Sequence, residues 1–175
     1  IPTVAGRTNK TNLDRYVIHK PTSSVSESIR SIRTAIMLSD IDNPPKVIAI
    51  TSTVPSEGKT MLSLNLARVA AAAGQRVLLI DGDLRRPRIH KSLNIENDKS
   101  LIELINGEIQ FDEACHVDVE TGLQIIPGKV VQANPLDLLN SNAMRRFIAD
   151  VRDEFDQVII DTPPVLAVTD IKIIG

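Results

Sequence analysis

Aromatic side chains are scarce in this sequence: three Phe, one Tyr and no Trp, 2% of 175 residues. That scarcity argues against single-strand nucleic-acid binding by base stacking, which needs several exposed rings. It also leaves the core to Ile, Leu, Val and Ala. Charge of one sign is not in excess. Twenty Lys and Arg against 22 Asp and Glu give a net charge of −2, so no global basic field draws the chain to nucleic acid or acidic lipid. The lone cysteine, Cys115, excludes an internal disulfide and fits a reducing compartment. No apolar run approaches the roughly 20 residues that span a bilayer. Ile1 is not preceded by Met, and no charged-then-apolar leader follows it. The expectation is a soluble piece excised from a longer protein, with a membrane anchor left open elsewhere.

Hydrophobic residues at 42% and charged residues at 24% are ordinary for one globular domain. Residues 1–20 are polar and without period, and read as an N-terminal arm or linker; residues 21–175 read as the domain. Pro21-Thr22-Ser23-Ser24 offers helix-start chemistry. A helix is expected over 25–38, with Ile29, Ile32 and Ile36 at spacings of three and four. After Pro44-Pro45, apolar runs over 47–50, 77–80, 123–126 and 158–160 alternate with helices expected over 58–73, 101–105 and 142–155. Continuous apolar runs are what a parallel strand buried on both faces requires. The fold class is therefore α/β, a mostly parallel sheet with helices on both faces.

The sharpest local signal is Thr53-Val54-Pro55-Ser56-Glu57-Gly58-Lys59-Thr60, between the first strand and the second helix. This is the context of a phosphate-binding loop. Backbone N–H groups and the positive helix end meet phosphate oxygens, Lys59 supplies a cation for the β- and γ-phosphates, and the Thr60 hydroxyl is placed for Mg²⁺. The first glycine of the usual G-x-x-x-x-G-K-[ST] pattern is Thr53 here. Two further segments end apolar strands in acid: Ile80-Asp81-Gly82-Asp83-Leu84-Arg85 and Ile159-Ile160-Asp161-Thr162-Pro163-Pro164. Ligands of open parallel sheets sit beyond the carboxyl ends of the strands. Asp81 and Asp83 can hold metal-bound water or accept a proton, and Asp161 can bind Mg²⁺ opposite Thr60.

This set resembles the bacterial tyrosine kinases of exopolysaccharide and capsule synthesis, which are P-loop proteins unrelated to eukaryotic protein kinases. Pro55-x-Glu57-Gly58-Lys59-Thr60 is similar to their Walker A form, Asp81-x-Asp83-x-Arg85 to their A′ motif, and Ile160-Asp161 to their Walker B strand. The likeness covers about residues 16–170. It implies a P-loop fold, ATP and Mg²⁺ as cofactors, and transfer of the γ-phosphoryl group to tyrosine-containing proteins. Thr53, Pro55, Ser56, Glu57, Gly58, Lys59, Thr60 and Arg85 would bind the nucleotide. Thr60, Asp81, Asp83 and Asp161 would hold the metal, and Lys59 with the three aspartates would carry catalysis. The helix segment Glu27-x-x-Arg30-x-x-Arg33 fits the family's E-x-x-R-x-x-R element, which implies subunit contacts in a homo-oligomer. A membrane adaptor, fused or separate, and the cytoplasmic face of the inner membrane follow from the same resemblance.

Two departures shape the alternatives. The family carries several tyrosines in a C-terminal tail, whereas the only tyrosine here is Tyr16, and the sheet is expected to be incomplete towards Gly175. One alternative is a partitioning or positioning ATPase of the deviant-Walker class. Those ATPases carry a second lysine early in the loop, near the position held here by Val54. The other is an assembly module that binds nucleotide without kinase activity. The run Arg85-Arg86-Pro87-Arg88-Ile89-His90-Lys91 reads as a solvated turn rather than a nucleic-acid patch.

Overall fold

A computed structural model describes residues 15–131 and 135–164. Its central sheet has five strands in the order β1-β5-β2-β4-β3: β1 (Val47–Ile50), β2 (Val77–Asp81), β3 (His116–Val117), β4 (Gln124–Ile126) and β5 (Gln157–Asp161). The four longer strands run parallel, and the two-residue β3 pairs antiparallel to β4 at the edge. The expected α/β class and its four parallel strands are therefore observed. The antiparallel edge strand was not anticipated, because two residues are too few to display a period.

Side chains alternate between two cores. Val77 and Leu79 of β2 and Ile159 of β5 face one side of the sheet; Leu78, Ile80, Val158 and Ile160 face the other. The first core is covered by α1 (Tyr16–His19), α2 (Ser24–Met37) and α3 (Lys59–Ala72). The second packs under α5 (Leu101–Ile105), α6 (Phe111–Ala114), α7 (Pro135–Leu139) and α8 (Asn142–Glu154). The short α4 (Ile89–Leu93) follows β2 and buries Ile89.

Local chemistry sets the helix limits. Ser23 caps α2 by accepting the Ser26 N–H at 3.2 Å. Val25 and Ile29 are buried along its apolar stripe, with Ile36 packed beside them. Helix α3 is buried on most of its circumference, since it lies between the sheet and the α1–α2 layer. Its end is a Schellman turn. The Gly74 N–H reaches the Ala71 carbonyl at 2.9 Å and the Gln75 N–H reaches Ala70 at 3.3 Å, with Gly74 itself in the left-handed conformation at φ 88°.

The expected arm differs over its last residues. Residues 1–14 lie outside the described region, but Tyr16–His19 form a helical turn whose Val17 is buried against α3, its N–H 3.5 Å from Asn65 Oδ1. The run Tyr16-Val17-Ile18 is too short to show a period, and long-range packing holds it. Among the described residues, no helix is long and apolar enough to cross a membrane.

Candidate active site

The site lies at the carboxyl ends of β1, β2 and β5. In the sheet register Ile50 stands beside Asp161, and Asp161 beside Asp81, so both aspartates are the last residues of adjacent strands. The turn after β5 is tied to both neighbours. The Thr162 N–H and hydroxyl each donate to the Ile50 carbonyl at 3.0 Å, and the Gly82 N–H donates to the Asp161 carbonyl at 2.8 Å. The Thr51 hydroxyl donates to the Pro163 carbonyl at 2.8 Å.

Between β1 and α3 the chain makes an exposed loop. Gly58, with φ 90°, takes the left-handed conformation at the helix start, where an L side chain would be strained. Thr53 occupies the place of the usual first glycine, and here the side chain of Glu57 organises the loop. Its carboxylate accepts the N–H groups of Thr53 at 2.8 Å and Val54 at 3.1 Å. Pro55 and Ser56 are exposed at the tip.

Lys59 and Thr60, the first residues of α3, point at the strand-end acids. Lys59 Nζ lies 2.7 Å from Asp83 Oδ2 and 3.4 Å from Asp161 Oδ1. The Thr60 hydroxyl donates to Asp161 Oδ2 at 2.6 Å. Of the residues expected at the site, these four converge. Asp81 is adjacent but engaged differently: its Oδ1 accepts the Asp83 N–H at 3.3 Å, and its Oδ2 accepts the Arg88 and Ile89 N–H groups at 3.0 Å each. It thereby braces the turn after β2. Arg85 is exposed on that turn. Glu27 and Arg30 are exposed on α2, away from this cluster. The Arg30 guanidinium bonds the Pro21 carbonyl, and Arg33 is half-buried with Nη2 2.9 Å from Gln75 Oε1.

Two participants were not expected. The Ser63 hydroxyl bonds the Lys59 carbonyl at 2.9 Å and Asp161 Oδ1 at 3.3 Å; one turn after Lys59 on a helix, it was open to inference from spacing. Gly128 approaches so closely that a Cβ there would lie 2.7 Å from the Asp81 carbonyl oxygen. No local pattern reports such a contact.

The electrostatics are unbalanced. Asp81, Asp83 and Asp161 are all buried, and Lys59 is the one cation within ion-pair distance of them among the described residues. Burial, with the Asp161 charge beside it, pushes the Asp81 carboxyl up to about 7, against the pull of the Ile89 and Arg88 amides. Burial likewise raises Asp161 despite the Lys59 charge and the Thr60 hydrogen bond. Among the described residues, no three His, Cys, Asp or Glu side chains form a metal cage by themselves. Mg²⁺ does not need one, because it keeps several waters and is held by one or two protein oxygens plus substrate phosphates. The Thr60 hydroxyl and Asp161 carboxylate, hard oxygens side by side and backed by excess negative charge, fit that requirement.

Comparison with known proteins agrees with this geometry. The AAA domain family matches residues 45–174. The tyrosine-protein kinase ptk of Acinetobacter johnsonii is 39% identical over 92% of this chain and 22% of its own length. The tyrosine-protein kinase YwqD of Bacillus subtilis is 38% identical over 89% of this chain and 66% of its own. The chain thus spans between a fifth and two thirds of these relatives. The kinase domain of the Escherichia coli tyrosine kinase ETK superposes with a TM-score of 0.85 at 31% identity, covering 99% of this chain and 68% of that one. The cell-division ATPase MinD of Pyrococcus furiosus is more distant, with a TM-score of 0.57 and 26% identity over 68% of this chain and 50% of its own. With a phosphate loop, paired strand-end aspartates and these identities along nearly its whole length, the chain belongs to the bacterial tyrosine-protein kinase family.

Proposed function

We propose that this chain is the ATP-binding catalytic domain of a protein-tyrosine kinase, moving the γ-phosphoryl group of Mg-ATP to tyrosine hydroxyls. The observation that carries this reading is the Lys59 ammonium 2.7 Å from Asp83, on the turn after β2, and 3.4 Å from Asp161, at the end of the adjacent strand β5. Lys59 leaves this ion pair to neutralise phosphate oxygens, which frees the Asp83 carboxylate. The tyrosine oxygen then bonds the γ-phosphorus as the bond to the β-bridging oxygen breaks, and Asp83 accepts the hydroxyl proton. Thr60 and Asp161 would hold Mg²⁺, which when bound withdraws charge from the phosphate oxygens. Asp81 keeps the turn carrying Asp83 in place, and the loop amides that follow Glu57 meet the phosphates. Val54, where deviant-Walker ATPases have a second lysine, favours the kinase reading over that alternative.

The wider role follows from the family. The proposal extends to regulation of exopolysaccharide polymerisation and export at the cytoplasmic face of the inner membrane. It includes a homo-oligomer joined through Glu27, Arg30 and Arg33 and activated by a membrane adaptor. The test is incubation of the chain with Mg-ATP and a tyrosine peptide, followed by phosphotyrosine detection. Transfer that is lost in Lys59→Met is expected. ATP hydrolysis or binding without transfer would overturn the kinase reading.

A further inference from the structure

In the basic run that follows the aspartates, the side chains of Arg86, Arg88 and Lys91 have no part in the site described above. The neighbouring carboxylates take the backbone of the run and leave these three side chains outside. Asp83 Oδ1 accepts the Arg86 N–H at 3.1 Å, and Asp81 Oδ2 accepts those of Arg88 and Ile89. Leu84, Pro87 and Ile89 are buried between these anchors, while Arg86, Arg88 and Lys91 are exposed. Among the described residues, neither the Arg86 nor the Arg88 side chain takes part in an ion pair. The run from Arg85 to Lys91 contains four formal cations and no acid, on a chain whose net charge is −2. Fixed backbone, exposed guanidinia and a local charge opposite to the global one are a combination that a solvated turn does not require.

Position gives the combination a use. The run starts immediately after Asp83, so a tyrosine presented to that carboxylate brings its flanking residues past Arg86 and Arg88. Guanidinium forks recognise carboxylates in bidentate geometry, and guanidinia mounted on an already ordered backbone lose less freedom on binding. We propose that Arg86, Arg88 and Lys91 form a docking rim for acidic residues on either side of the acceptor, which makes acidic tyrosine-containing segments the preferred substrate class. This rests on the kinase reading, and the experiment separates the two.

The probes are fluorescent peptides with a single tyrosine flanked by glutamates, by glutamines or by lysines, titrated with the full chain and read by anisotropy. The glutamate peptide is expected to bind about tenfold more tightly than the glutamine one at low salt, a preference that added salt erodes. Arg86→Glu with Arg88→Glu is expected to abolish that preference, and Arg86→Gln with Arg88→Gln to reduce it. Both doubles keep the backbone N–H groups that the aspartates use. Arg145→Glu with Arg146→Glu, an equal charge change on α8, is expected to leave it intact. Equal affinity for the three peptides overturns the rim, as does a preference that survives in the rim variants or tighter binding of a single-stranded oligonucleotide. Phosphotyrosine formation on the glutamine peptide, measured in parallel, tests the kinase reading alone: its absence beside an intact anisotropy preference contradicts transfer and not docking.

Discussion

Helix α3 carries two cations into buried carboxylates, and the two arrangements follow opposite logic. Arg68 in its middle is matched. Its Nε lies 2.8 Å from Asp118 Oδ2, with side-chain exposures of 0% and 6%, and the Thr121 hydroxyl donates to the same carboxylate at 2.9 Å. Burial would raise the Asp118 carboxyl, but the Arg68 and Thr121 hydrogen bonds more than offset it and hold the group below its usual range. Lys59 at the helix start is outnumbered by acids, and Asp81 and Asp161 are pushed up. A matched pair fastens α3 to the β3–β4 connection. The mismatched cluster holds negative charge that a proton or another cation relieves, which is the condition the proposed exchange with a metal and a phosphate requires.

Breaking the matched pair should produce the largest effect on stability. Arg68→Ala leaves Asp118 buried without its cation and is expected to lower the unfolding free energy by about 3–5 kcal/mol, read from the denaturant midpoint. A loss under about 1 kcal/mol would erase the contrast, since that is what an exposed pair is worth. Lys59→Met should reach function as well: phosphoryl transfer falls by about 10²-fold or more, as removal of a charge-stabilising donor does elsewhere, and the midpoint also falls, because the cation paired with the buried Asp83 and Asp161 is gone.

Asp161→Asn sharpens the comparison further. Removing one of several crowded carboxylates should raise the metal-free unfolding free energy by about 1 kcal/mol, as a thermal scan would register, and abolish Mg²⁺-dependent transfer. Destabilisation would mean that the cluster is as balanced as the Arg68 pair.

The two clusters also respond to pH with opposite sign. Asp81 has a folded value of about 7 against an ordinary 3.8, so between these values the folded chain binds more protons than the unfolded one. Its contribution therefore falls as pH rises through that window. Asp118 is lowered, so its contribution is present above the usual carboxylate range and lost as pH falls through its folded value. Urea midpoints of the metal-free chain should decline from about pH 5 to pH 7, level off above that, and also drop in acid. A steady rise to pH 8 would contradict the Asp81 assignment. The smallest effect belongs to the exposed Arg76–Asp156 pair, 3.2 Å apart: Arg76→Ala should leave the midpoint almost where it is, as expected of a solvent-screened pair.

Much of the mismatched cluster was legible in the sequence, and the matched pair was not. Buried parallel strands are continuous apolar runs, so the acid that ends each one stands out, as Asp81 and Asp161 do. Gly58-Lys59-Thr60 is a local pattern at a helix start. Arg68 carries the opposite signal, because an arginine inside a helix is expected on its solvent face, and Asp118 lies fifty residues away in sequence. The buried Val17, the two-residue β3 and the close approach of Gly128 to Asp81 escaped for the same reason: long-range contacts define them. Glu57 was legible as part of a motif, but its two bonds to the loop amides were not, since they replace a glycine by a side chain.

The most direct measurement is calorimetric titration of the chain with Mg-ADP, in parallel for the unsubstituted sequence, Lys59→Met and Arg76→Ala. Lys59→Met should weaken binding by at least about tenfold, the loss of one buried charge-assisted contact, while Arg76→Ala binds as the unsubstituted chain does. Equal affinity in Lys59→Met would contradict the assignment of the Lys59–Asp83–Asp161 cluster as the nucleotide site.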